Sequence, residues 1–174
     1  AQLPLNQEQL DALSEVFNIG FGAAANTLGS RFGAAAKIAK PRIAPGDNAK
    51  AAELLQKESA VITFSFNEEF AGNWYMCVEA SACSVLVEKL TGVKTVFSAE
   101  LPGESRDALK ALFLDIAAIS FPALATTANC TLTVAQTTLD VNTASRHPFD
   151  PSTAFSQGFL QTAFTFKVEG VFDS

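Results

Sequence analysis

Four residues near the start of the chain, Asp11, Glu15, Asn18 and Asn26, carry groups able to do chemistry and recur at helical spacing together with Gly22. At about 100° per residue they fall within a sector of roughly 80°, beside an apolar stripe and not on it. A carboxylate there can attract a cation, and a neutral carboxamide can accept one hydrogen while donating another. Gly22, with its neighbour Ala25, leaves a low patch where a second backbone could come close to Asn18. Two glycines inside a helix, Gly20 and Gly22, cost about 1 kcal/mol each against alanine. Tight packing on one side and access for a partner on the other would account for that cost. The same residues also describe an ordinary solvated helix face, and spacing alone does not separate the two readings.

These groups need a long helix to hold them, and the sequence supplies its signals. Asn6 can serve as N-cap, Glu8 lies in the first turn, and Leu10, Leu13, Phe17, Phe21, Ala24 and Leu28 recur every three or four residues. Gly33 is placed to end the helix, and an extended stretch, Lys37 to Ala44, follows it. A short helix is predicted over Asp47 to Lys57. Ile62, Phe64 and Phe66 alternate with Thr63, Ser65 and Asn67, which marks a strand over 60–67; a turn at 67–72 leads to its hairpin partner over 73–78. Helices are expected over 80–90, ended by Gly92, and over 105–127, kinked or interrupted near Pro122. A strand over 131–141, a loop over 142–158 and a strand over 159–168 complete the chain, with Phe164, Phe166 and Val168 facing inward. Asp107-Ala108-Leu109 echoes Asp11-Ala12-Leu13, each opening a long helix, and two pseudo-repeat halves of about 1–98 and 99–174 follow within one domain.

Composition excludes several classes of function. Eighteen acidic against twelve basic residues give a net charge of −6, which argues against nucleic acid or an anionic membrane as the main partner. The chain is 48% hydrophobic and 17% charged, so it has the makings of a packed core and not of a disordered segment. Ala108 to Ala125 is its most apolar stretch, but Lys110, Asp115 and Pro122 interrupt it, favouring a buried helix over a membrane span. Cys77, Cys83 and Cys130 show no CxxC spacing and His147 is the only histidine, so neither a disulfide framework nor a zinc site is expected. The thiols read as small buried apolar residues of a reduced, cytoplasmic protein. Fifteen phenylalanines against one tyrosine and one tryptophan indicate core filling, and Gly29, Gly33 and Gly103 form no phosphate loop. His147 lies in the expected loop without a nucleophile motif. The basic run Arg31, Lys37, Lys40 and Arg42 is best explained by dipole complementation at the end of the first helix and by solubility, with steering of an acidic partner face as the alternative.

The pattern Asp11-x3-Glu15-x2-Asn18, followed after twenty-two residues by Pro41, resembles the signature of the CheC/CheX/FliY phosphatases of bacterial chemotaxis. The surrounding text Asn18-Ile19-Gly20-x-Gly22-x-Ala24-Ala25 is similar to that family's helix as well. The resemblance implies an α+β fold, a pseudo-twofold CheC-like sandwich with an antiparallel sheet packed against two long helices. It implies hydrolysis of the aspartyl phosphate of a CheY-like response regulator. Asn18 would position the attacking water inside the regulator's pocket, and Glu15 would pair with the regulator's active-site lysine. Asp11 and Gly22 would belong to the docking face, Asp11 alternatively only solvating the helix, and Pro41 would fix the course of the chain beside it. The protein would need no cofactor or metal of its own, the Mg²⁺ being the regulator's. If Asp107 is set against Asp11, Ala111 takes the glutamate position and Leu114 the asparagine position; sliding the frame to Asp115 leaves Ala118 where asparagine is needed. The second site is therefore lost, an arrangement that resembles CheX, and a homodimer through the second helix or a sheet edge is compatible with it. The alternative is a non-catalytic module of the same fold that binds a response regulator or the flagellar switch.

Overall fold

The helix that carries these five positions, α1 (Gln7–Phe32), is fixed at both ends by its own sequence. Asn6 Oδ1 accepts from the Gln9 amide at 2.9 Å and Gln9 Oε1 accepts from the Asn6 amide at 3.0 Å, a reciprocal pair that satisfies two orphan donors. Gly33, at φ 65°, turns the chain into the left-handed region, and its amide donates to the Gly29 carbonyl. The computed structural model describes residues 5–39, 42–67, 72–129, 131–143, 145–154, 159–163 and 165–173. Pro41, Cys130, Phe164 and most of the turn at 67–72 lie outside them.

Three further helices and a short one follow. Asp47 caps α2 (Asn48–Gln56) by accepting from the Ala49 and Lys50 amides. α3 (Ala80–Thr91) ends at Gly92, and α4 (Gly103–Ala128) runs without a break through Pro122. A kink or interruption was the expectation from Pro122, whose ring removes a helical hydrogen bond. Buried Ile116, Ala117 and Phe121 anchor the flanking turns in the core, so packing outweighs that loss. The expected loop after residue 142 holds one helical turn, α5 (Pro151–Ala154).

The strands are β1 (Ala36–Ile38), β2 (Arg42–Pro45), β3 (Ser59–Asn67), β4 (Gly72–Glu79), β5 (Thr133–Asn142), β6 (Leu160–Ala163), β7 (Phe166–Val168) and β8 (Phe172–Asp173). All their pairings are antiparallel. β3 lies between β4 and β5, with Ile62 opposite both Met76 and Leu139. The single strand expected over 159–168 is two, because the chain changes partner there. β6 pairs with β2 and β7 with β1, so residues from the two ends of the sequence are laced together.

The central strand β3 contributes to a core on each of its faces. Ile62, Phe64 and Phe66 face the main core with α1, α3 and α4, as the alternation predicts. Val61 faces a smaller cluster with Ala51, Leu55 and Phe149. The result is the expected α+β class, antiparallel sheet against two long helices. Cys83 is buried as expected, and burial pushes its thiol up to about 12. Cys77 corrects the expectation: it is exposed, because the alternation of β4 turns it away from the core that Met76 joins. No helix among the described residues is long and apolar enough to cross a membrane.

Candidate functional site

α1 is a straight consequence of two different stripes in one sequence. Its inner stripe, Leu10, Phe17, Gly20, Phe21, Ala24, Ala25, Leu28 and Gly29, is buried. Phe17 stacks on Phe21 with centroids 5.7 Å apart and approaches Trp74 at 5.0 Å; Trp74 in turn meets Phe121 of α4 at 5.1 Å. This aromatic block behind the helix makes α1 a stiff mount for whatever its outer face carries.

The outer face holds the polar positions together. Asp11, Glu15 and Asn26 are exposed, and Asn18 and Gly22 are half-buried. Glu15 and Asn18 stand about 4.5 Å apart along the axis and are side-by-side neighbours on the helix surface. Asp11 shares the face and accepts a hydrogen bond from Gln7 Nε2 at 2.8 Å. From Gln7 to Ser30 the helix carries the carboxylates Glu8, Asp11 and Glu15 and no cation, so the face is electronegative. The first cation, Arg31, is bound to Asp115 of α4. The pair lies in mid-helix, where the macrodipole contributes little.

The two helix glycines separate cleanly. A Cβ at Gly20 would stand 3.0 Å from the Ser120 carbonyl oxygen and 3.1 Å from its Cα, so close packing of α1 on α4 accounts for this glycine. A Cβ at Gly22 would meet nothing within 4 Å. Internal packing therefore does not explain Gly22, which leaves a notch one turn beyond Asn18.

α4 repeats the inner half of this design and not the outer. Leu109, Leu112, Phe113, Ile116, Ala117 and Phe121 are buried. Facing outward are Asp107, Ala111, Ala118 and Leu114, the last 40% exposed, with Asp115 held by Arg31. No carboxylate–carboxamide pair stands at the positions equivalent to Glu15 and Asn18. His147 is exposed and lines a depression with Leu55, Phe149 and Asp150, on the opposite face of the central sheet from α1. Among the described residues no cluster of histidine, cysteine and acidic side chains could hold a metal ion.

One outward residue was not singled out from the sequence. Ile19, next to Asn18, is 62% exposed. A helical projection carries the signal: Ile19 points about 40° from Glu15 and lies far from the buried stripe.

With this geometry the chain can be set beside known structures. It superimposes on FliY of Thermotoga maritima with a TM-score of 0.77 at 19% identity, covering 99% of this chain and 89% of that one. FliM in a FliG–FliM complex from H. pylori gives 0.69 at 10% identity, covering 97% and 90%. A chemotaxis protein CheX from Desulfovibrio desulfuricans gives 0.51 at 16% identity, covering 89% and 92%. This is the CheC/CheX/FliY fold. No protein-family model matches the chain and no curated protein sequence matches it. Within the CheC-like fold the likeness is greater to FliY and FliM than to CheX, and it extends over almost the whole chain.

Proposed function

We propose that this CheC-like chain hydrolyses the aspartyl phosphate of a CheY-like response regulator, using one site on α1. The observation that carries this reading is that exposed Glu15 and half-buried Asn18 stand side by side on the outer face of a helix braced from behind. An acyl phosphate is already an activated electrophile, so a catalyst need only place water in line with phosphorus. The Asn18 carboxamide accepts one hydrogen of that water and adds no negative charge beside the phosphoryl group. The water oxygen bonds to phosphorus as the bond to the aspartyl oxygen breaks, giving inorganic phosphate and a free carboxylate. The regulator's own Mg²⁺ and lysine would supply the charge stabilisation for that step. Glu15, on an electronegative face, pairs with that lysine and fixes the docked orientation. Asp11 adds to the same field.

The test is phosphate release from purified, phosphorylated regulators with and without the protein. Acceleration that disappears in Asn18→Ala supports the reading; identical release in every case overturns it. A second reading is favoured by the larger TM-scores to FliY and FliM and by the lost pair on α4: a binding module that holds a regulator or a flagellar-switch protein of the FliG kind without turnover. Equal affinity for phosphorylated and unphosphorylated regulator, with no release, would select it. Either activity would be exercised in the cytoplasm, where such partners work.

A further inference from the structure

We infer that Ile19 is the apolar anchor on which the regulator docks, with Gly22 the notch where the regulator's backbone comes closest to α1. This inference rests on the reading of Glu15 and Asn18 given above and extends it to how the partner is held.

Single exposed apolar residues are ordinary on a protein surface, and Ile19 stands out by its surroundings. It is 62% exposed, and a β-branched side chain has no helical advantage at a solvent position. It directly follows Asn18 and lies one turn beyond Glu15. On its C-terminal side the helix offers only small groups, half-buried Gly22 and exposed Ala23, while Glu15 and half-buried Val16 flank it one turn earlier. The open space at Gly22 has no internal cause, unlike that at Gly20. An aliphatic knob, an adjacent notch and a flanking carboxylate make a surface shaped to receive another molecule.

The charge pattern states what that molecule presents. The helix has three carboxylates and no cation up to Ser30, so the complementary surface offers an ammonium opposite Glu15 and an apolar side chain or wall against Ile19. A receiver domain in its phosphorylated state offers both when its phosphoaspartate pocket, with the lysine, is bordered by aliphatic residues. Desolvating Ile19 then supplies affinity. The hydrogen-bonding pair beside it supplies register and chemistry. The electronegative face speeds the encounter, and the apolar contact holds the complex.

The experiment uses the full chain and receiver-domain regulators loaded with beryllofluoride, titrated against wild type, Ile19→Ser, Ile19→Leu and Leu114→Ser. For the regulator that wild type binds, Ile19→Ser should weaken binding about tenfold, equivalent to ~1.4 kcal/mol, and raise KM similarly while kcat stays within about twofold. Ile19→Leu should restore most of the affinity, and Leu114→Ser, at an exposed position on α4, should leave it unchanged. Thermal unfolding of each variant shows whether the fold is intact. Wild-type binding that Ile19→Ser leaves unaltered overturns the anchor and spares the reading of Glu15 and Asn18. A loss matched by Leu114→Ser also overturns it, since a general surface effect would then be the cause. Binding without phosphate release overturns the phosphatase reading alone, and the anchor is then judged from the affinities. Absence of binding to any loaded regulator overturns both.

Discussion

α1 and α4 are the same length, carry the same Asp-Ala-Leu tripeptide at their fifth residue, and pack against each other over one core, yet beyond that shared aspartate their outer faces differ at Glu15 and Asn18. Inside, α1 gives Phe17, Phe21 and Ala24 where α4 gives Phe113, Ala117 and Ser120. Outside, Glu15 and Asn18 on α1 stand against Ala111 and Leu114 on α4. The fold needs only the inner stripes, because burial supplies its stability and the outer positions contribute little. Chemistry on this scaffold can thus be present on one helix and absent from its counterpart without disturbing the architecture.

That contrast can be broken experimentally. The largest effect should come from Asn18→Ala, which is expected to lower stimulated phosphate release by about a hundredfold or more while leaving thermal unfolding unchanged. Leu114→Ala should leave release unchanged; a matching fall would show that α4 also holds the regulator and would erase the distinction. Reversing charge in Glu15→Lys should raise KM at least about tenfold with kcat nearly intact, whereas Asp107→Lys on the other helix should not. A titration at several ionic strengths would sharpen this result, since the Glu15 contribution shrinks with salt.

The next contrast lies within α1. Gly22→Ala should raise stability in urea unfolding by about 1 kcal/mol, because the methyl enters open space and the helix gains propensity. Gly20→Ala should fall short of that by about 1–3 kcal/mol, since its methyl presses on the Ser120 backbone. The same Gly22→Ala variant should bind its regulator more weakly. Stability and affinity moving in opposite directions would mark a position kept open for a partner; a rise in both would remove Gly22 from the docking face. The smallest effect is expected from Arg31→Ala, which releases Asp115 of α4 from an ion pair partly open to solvent. Unfolding should register at most about 1 kcal/mol, and phosphate release none.

The sequence told most where information is local. Caps, periodicity and alternation were sufficient for α1, α2, α3, β3 and β4, because Asn6, Gly33, Asp47 and Gly92 act on their own neighbourhoods. It told least where distant segments decide. The division of 159–168 into β6 and β7 follows from pairing with β2 and β1, and nothing within the ten residues announces it. Pro122 does not interrupt α4 for the same reason, as core packing around Phe121 keeps the helix continuous. At the site, helical spacing was sufficient to group Glu15, Asn18 and Gly22, but not to separate Gly20 from Gly22, which only the position of Ser120 does. Cys77 was misjudged because its exposure depends on which way β4 faces.

The lacing of β1 with β7 and of β2 with β6 has a consequence for how the molecule is made. The strands that follow α1 find their partners only in β6 and β7, which are synthesised long after them. Until residues beyond 160 arrive, the segment after Gly33 has no sheet to join. A fragment stopped earlier would carry every atom of the Glu15–Asn18 pair with its anchorage unfinished. Any attempt to graft this site onto a shorter scaffold must therefore bring the closing strands along with the helix.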